Sequence, residues 1–200
     1  MHVWFGIGTL ILGTISYVLY IADVVRGKTK PHAFSWLVWG LLGLTVWLIQ
    51  VAEQSGPGAW VFAYTAIASV FIFWLALKHG ERNIVLVDWI FLAGALTAYV
   101  LWLLTDRALP SIILLSLIDA IGYLPTFRKS YHKPFEETAS MYRLSMIKNI
   151  FTILALNNLS LVTVLYSASL LFMNTTFTSM LYWRRWKIQN HRTTAARQMQ

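Results

Sequence analysis

Apolar residues fill the chain in long runs separated by short polar turns, and run length fixes the elements. Stretches with at most one charge cover about residues 3–21, 33–51, 59–77, 84–104 and 109–127. At roughly 1.5 Å of rise per residue, such runs match a hydrocarbon core of about 30 Å, so each predicts a membrane-spanning helix. A sixth segment, 138–156, is interrupted by Arg143, Lys148 and Asn149, and a seventh, about 159–183, is long enough to span with tilt. Charge decides the sixth. If it did not cross, the basic tail beyond Trp183 would face away from the other basic turns, against the positive-inside preference. The expected fold class is therefore all-α integral membrane, with seven transmembrane helices.

That count also orients the chain. With the N-terminus outside, Arg26, Lys28, Lys30, Lys78, Arg82, Arg128, Lys129, Lys133, Arg143, Arg184, Arg185, Lys187, Arg192 and Arg197 fall on or near the cytoplasmic side. Arg107, beside Asp106, lies in an outer connection, whereas the turns at 53–58 and 157–160 carry no Lys or Arg. No basic residue precedes the first run, so it reads as a retained span rather than a cleaved leader. A bacterial inner (plasma) membrane, with the C-terminus cytoplasmic, is the expected location.

Composition narrows the classes. The 200 residues are 58% hydrophobic and 12% charged, with mean hydropathy +0.59, which excludes an ordinary water-soluble domain. The net charge of +8 follows from loop placement, and no basic stripe interleaved with exposed aromatics points to nucleic acid. Absence of cysteine removes disulfides, thiolate metal sites and cysteine nucleophiles. His2, His32, His79, His132 and His191 lie at span ends or in turns without metal-ligand spacing. No HExxH, GxSxG or P-loop pattern occurs, and the seventh helix has no deep lysine for a retinal. An enzyme, a cofactor and a metal are not expected. The expected partners are a small-molecule solute and the lipid bilayer, with homo-oligomerisation left open; the basic tail is expected to meet anionic lipid.

Two basic turns resemble one another. Tyr20, Lys30 and Pro31 recur as Tyr123, Lys133 and Pro134 at a constant offset of 103, with Arg26 opposite Lys129 and Ser35 opposite Thr138. Each turn follows the first helix of a three-helix unit. Three is odd, so a spare span is needed for both units to face the same way, which predicts a 3+1+3 plan of parallel repeats. The expected divisions are 1–78 and 107–184 for the repeats, 79–106 for the linker helix and 185–200 for the tail.

With these turns the chain resembles the PQ-loop and SWEET superfamily of seven-helix transporters, of which it would be a divergent member. The superfamily's Pro-Gln dipeptide stands here as Pro125-Thr126 in the second unit and Ala22-Asp23 in the first. The resemblance implies a secondary transporter or facilitator of a small polar solute, sugar- or vitamin-like, working by alternating access. It implies a gate or hinge at Pro31, Pro125 and Pro134, with Ala22 at the fourth corner, and a substrate-site asparagine at Asn174. Its offset counterpart is Phe71, so Tyr64, Thr65 and Ser69 are the polar groups on the third helix, and Asn149 on the sixth either lines the cavity or bonds a neighbouring backbone. The alternative from another class is a non-transporting sensor, scaffold or assembly factor, which predicts a packed interior.

Two charges inside spans complete the candidates. Asp119 and Lys148 lie at matching depths, roughly 12 and 15 Å from the inner boundary, and are expected to pair or share a water-filled cavity between the fifth and sixth helices. They serve either as a coupling site or as a brace. Asp88, near its span end, reads as interfacial. In the second span, Trp36, Gly40, Gly43 and Trp47 share one face; the glycines permit close helix approach, and Trp47 is the leading cavity aromatic against its reading as interfacial or lipid-facing filler. Trp4, Trp60, Trp102 and Trp183 fit interface anchors.

Overall fold

Backbone amides carried through hydrocarbon must find partners within their own segment, and the apolar runs do so as helices. The computed structural model describes residues 1–81, 85–105 and 107–198, without some side chains in 87–102 or any beyond 190. Arg82 and Asp106, and the side chains of Asp88, Trp102, His191, Arg192 and Arg197, lie outside the described residues. Seven α-helices are described: α1 (His2–Val25), α2 (Ala33–Ala52), α3 (Trp60–His79), α4 (Leu86–Thr105), α5 (Ala108–His132), α6 (Ala139–Leu154) and α7 (Leu161–Gln198). Short 3-10 turns, Gly56–Ala59 and Pro134–Glu136, precede α3 and α6. No strand occurs among the described residues.

Among the described residues, five segments are long and apolar enough to cross a membrane: His2–Val25, Ala33–Ala52, Gly56–His79, Ala108–His132 and Leu161–Asn190. The sixth helix is shorter than its apolar run predicts, 16 residues or roughly 24 Å. It stops because the next turn is used elsewhere: the Asn157 amide donates to the Ser55 carbonyl at 3.1 Å, tying this turn to the one after α2.

The helices pack in a regular order. α3 lies against both α1 and α2, and α7 against both α5 and α6; across the middle α1 meets α6 and α2 meets α5, while α4 rests on α5 and α2. Close approach depends on small residues at the seams. A Cβ on Gly43 would sit 3.1 Å from the Ala66 amide nitrogen, and one on Gly40 3.3 Å from Val70, so the glycine face of α2 is the face that receives α3.

One end of the bundle gathers the basic turns into a polar network. Lys129 of α5 is buried and contacts the Glu137 carboxylate, and its ammonium also donates to the carbonyls of Lys30 and Glu136. Tyr142 donates to Glu137 at 3.3 Å, while Arg185 of α7 donates to the Pro134 and Glu137 carbonyls. Nearby, Thr126 donates to Ser35 at 2.9 Å and Thr138 donates to Asp23 at 2.9 Å. The opposite end closes through Gln50, whose amide donates to the Thr163 carbonyl at 3.1 Å. Pro57 fills the space a Cβ on Gly6 would need.

Candidate functional site

Between these ends lies an interior cavity of about 50 Å³. Among the described residues, every helix except α4 contributes to its wall. α1 supplies Tyr17; α2 supplies Trp36, Trp39 and Gly43; α3 supplies Thr65 and Ser69. From the other side come Asp119 and Tyr123 of α5, Tyr142, Ser145, Lys148 and Asn149 of α6, and Tyr166 and Asn174 of α7. Apolar helices present these polar groups inward because a membrane-exposed face has no partner for them.

The wall divides by chemistry. The α1–α3 side is aromatic: Tyr17 and Trp36 approach to 6.2 Å between ring centroids, Trp36 meets Trp39 edge-on at 5.0 Å, and Trp39 continues to Tyr123 at 4.8 Å. Trp36 is fixed by its indole N–H, which donates to the Tyr20 hydroxyl at 3.2 Å. The α5–α7 side is charged. Asp119, 1% exposed, accepts a hydrogen bond from Tyr166 at 3.4 Å through Oδ1, while Oδ2 has no partner. Lys148, 6% exposed, carries its ammonium 5.7 Å from the Tyr17 ring centroid, within range of a cation–π attraction. Asn149 and Asn174 donate to the Ser145 and Leu170 carbonyls of their own helices at 2.9 and 2.7 Å, which fixes both amides on the wall.

Of the residues singled out in the sequence, Asp119, Lys148, Asn149, Asn174, Thr65 and Ser69 meet here, together with Trp36, Gly43 and Tyr123. Asp119 and Lys148 share the cavity but form no direct salt bridge, and α7, packed against both α5 and α6, supplies Tyr166 to the carboxylate instead. Trp47 and Tyr64 do not reach the cavity. Trp47 follows Trp36 by eleven residues, roughly 16 Å farther along α2, which carries it past the cavity toward the opposite end, where it packs half-buried on the core. Tyr64 lies one position, about 100°, around α3 from Thr65, and packs on Tyr17 at 5.8 Å.

The three prolines lie away from the wall. Pro31 and Pro134 are at the basic end, where their carbonyls accept from the Glu81 amide at 3.0 Å and from Arg185 at 2.9 Å. Pro125 lies within α5, which continues unbroken to His132. Sequence reasoning did not single out Tyr17, Trp39, Tyr142 or Tyr166 for the site. For Tyr166 a signal existed, since Tyr166, Leu170 and Asn174 recur at intervals of four and all line the cavity.

Electrostatics at the basic end are set by burial. Glu137 is pushed above the usual carboxylate range by desolvation, against which the Lys129 ammonium and the Tyr142 hydroxyl act. Lys133 is raised by its hydrogen bond to Glu81, an ion pair of 3.1 Å that ties the start of the α3–α4 connection to the α5–α6 turn. Among the described residues no cluster of His, Asp or Glu is arranged to hold a metal. No family model, curated protein or solved structure matches this chain.

Proposed function

We propose that the chain is a secondary transporter or facilitator of a small polar solute, built as two three-helix units joined by α4 and working by alternating access across a membrane. The observation that carries this reading is the polar cavity at the junction of α1–α3 with α5–α7, lined from both sides. A scaffold has no need to place Asp119, Lys148, Asn149 and Asn174 around an internal space, because buried polar groups without function are costly in apolar surroundings.

The helix order supports the duplicated plan. α3 between α1 and α2 has its counterpart in α7 between α5 and α6, and the cross-contacts α1 with α6 and α2 with α5 exchange under the same relation. The hydrogen bond of Thr126 to Ser35 maps onto that of Asp23 with Thr138 (126 − 103 = 23; 35 + 103 = 138). This is the arrangement expected of the PQ-loop and SWEET superfamily. The reading keeps the basic end cytoplasmic and the N-terminus outside, by the positive-inside preference. In motion, the units part at the Pro31 and Pro134 turns while the opposite end closes.

Cavity volume sets what must move. About 50 Å³ is far below the roughly 300 Å³ of an ordinary small-molecule pocket, so a sugar-sized solute requires separation of the units. The test is reconstitution into liposomes with a panel of labelled sugars, nucleosides, amino acids and organic ions. Saturable uptake of one class, reduced at least tenfold by Asn174→Ala, is the expected outcome. Absence of flux for the whole panel, with protein shown to be folded, would overturn the proposal.

A further inference from the structure

We propose that the solute of this cavity is a small zwitterion, held with its ammonium on Asp119 and its carboxylate on Lys148. The chemistry of the wall carries this. Two opposite charges, 1% and 6% exposed, face one internal space without touching each other. Asp119 Oδ2 is buried without a hydrogen-bond partner, and Lys148 meets a tyrosine ring face rather than a carboxylate. A solute bearing one positive and one negative group satisfies both at once. An anion makes no contact ion pair with Asp119, a cation makes none with Lys148, and an uncharged polyol makes one with neither.

Size and shape restrict the class further. A volume of about 50 Å³ has room for a few waters at roughly 10–15 Å³ each, which matches a solute of very few heavy atoms, such as glycine, alanine or an N-methylated glycine. Its hydrocarbon part faces Tyr17, Trp36 and Trp39. Both charges belong to one side of the bundle. Their counterparts at the 103 offset are Ser16 and Thr45 (119 − 103 = 16; 148 − 103 = 45), which are buried and bonded to the Gly13 and Leu41 carbonyls of their own helices at 2.8 and 2.9 Å. The zwitterion's two ends therefore stay with α5 and α6 when the units part.

Only movement of the solute rests on the transport reading; its recognition is tested separately. Thermal unfolding of the purified full chain in detergent, followed by tryptophan fluorescence, is compared with glycine, alanine, sarcosine, acetate, methylammonium and glucose at equal concentration. The zwitterions are expected to raise Tm progressively with concentration, and the singly charged and neutral probes to leave it unchanged. Asp119→Asn and Lys148→Met each abolish the shift. The double variant Asp119→Asn/Lys148→Met, which leaves no unpaired buried charge, checks that the loss is not misfolding. A second readout is protection of Ser145→Cys, a unique thiol in this cysteine-free chain, from a small thiol reagent by alanine. A zwitterion shift that survives in the double variant, or stabilisation by glucose or acetate with none by the zwitterions, overturns the assignment, as does the absence of any zwitterion effect on Tm and on thiol reactivity. Zwitterion binding without liposome flux would instead sink the transport reading and leave this one standing.

Discussion

The Lys129 ammonium and the Glu137 carboxylate touch inside the basic end of the bundle, with 4% and 0% of their side chains exposed. Because Lys129 also donates to the Lys30 carbonyl, this ion pair ties α5 to the α1–α2 turn as well as to the α5–α6 turn. It is a junction of three segments, and charge removal on one partner leaves the other buried without its contacting counter-charge.

Replacing Lys129 by Met should therefore lower stability by about 3–5 kcal/mol, whereas Lys129→Met/Glu137→Gln should recover most of that loss. Chemical or thermal unfolding in detergent provides the comparison. Equal destabilisation in the single and double variants would mean that the pair is not what secures this end.

Glu137 also sets a pH dependence whose sign can be worked out. Burial holds its folded-state pKa above the ordinary value of 4.5. At pH just above 4.5 the folded protein keeps a proton that the unfolded chain has released. Stability from this group is then complete below that point and falls as pH rises through the folded value. Glu137→Gln cannot titrate, so its stability profile should be flatter than wild type over that interval. Identical slopes for the two proteins would remove Glu137 as the source.

Thr126 and Ser35 offer a covalent test of motion. Their hydroxyl oxygens are 2.9 Å apart across the α5–α2 junction, and the sequence contains no cysteine. Ser35→Cys/Thr126→Cys is expected to form a disulfide under mild oxidation, to lose flux when oxidised and to regain it on reduction. Oxidised protein that transports at the wild-type rate would show that this junction does not open in the cycle.

The order of apolar runs made the helices legible, since length and hydropathy act locally, and the basic residues after Tyr20 and Tyr123 marked the turns that the fold gathers at one end. The cavity was legible only in its rare groups. Asp119, Lys148, Asn149 and Asn174 stand out because polarity inside a span is unusual. Tyr17, Trp39 and Tyr142 could not be separated from anchoring aromatics by composition, because facing direction depends on which helices become neighbours. The position of α7 against both α5 and α6 is a tertiary fact that no single span encodes. The buried Lys129–Glu137 pair is hidden in the sequence because Lys129 resembles any other basic residue at a membrane surface.

The α2–α3 seam should tolerate little added volume. A Cβ at Gly43 would approach the Ala66 amide nitrogen and Cα at 3.1 and 3.2 Å, and backbone atoms cannot rotate aside. Gly43→Val should cost about 1–3 kcal/mol through overpacking, read as a lower Tm. Gly27 presents the opposite situation, since an added Cβ would meet no atom within 4 Å but φ is +71°. Gly27→Ala should cost only about 1–2 kcal/mol, through left-handed strain rather than collision. A Gly43 variant as stable as wild type would imply that α3 is not held this closely.

Trp36 and Trp47 share a helix face by periodicity, yet only Trp36 belongs to the cavity wall. The difference lies along the axis, not around it, and it separates their predicted phenotypes. Trp36 is 2% exposed, donates to Tyr20 and touches Tyr17 and Trp39, so Trp36→Ala should cost about 3–5 kcal/mol. Trp36→Phe keeps a ring there but removes the N–H donor, and it should weaken solute-dependent stabilisation severalfold while the protein still folds. Trp47 is half-buried, so Trp47→Ala should cost only about 1–2 kcal/mol and leave any solute-dependent shift intact. Measuring the Tm of each variant with and without solute separates a wall residue from a packing residue, because packing alone changes the baseline but not the shift. If Trp47→Ala erased the shift and Trp36→Phe preserved it, the binding level would have to lie nearer the opposite end than Asp119 and Lys148.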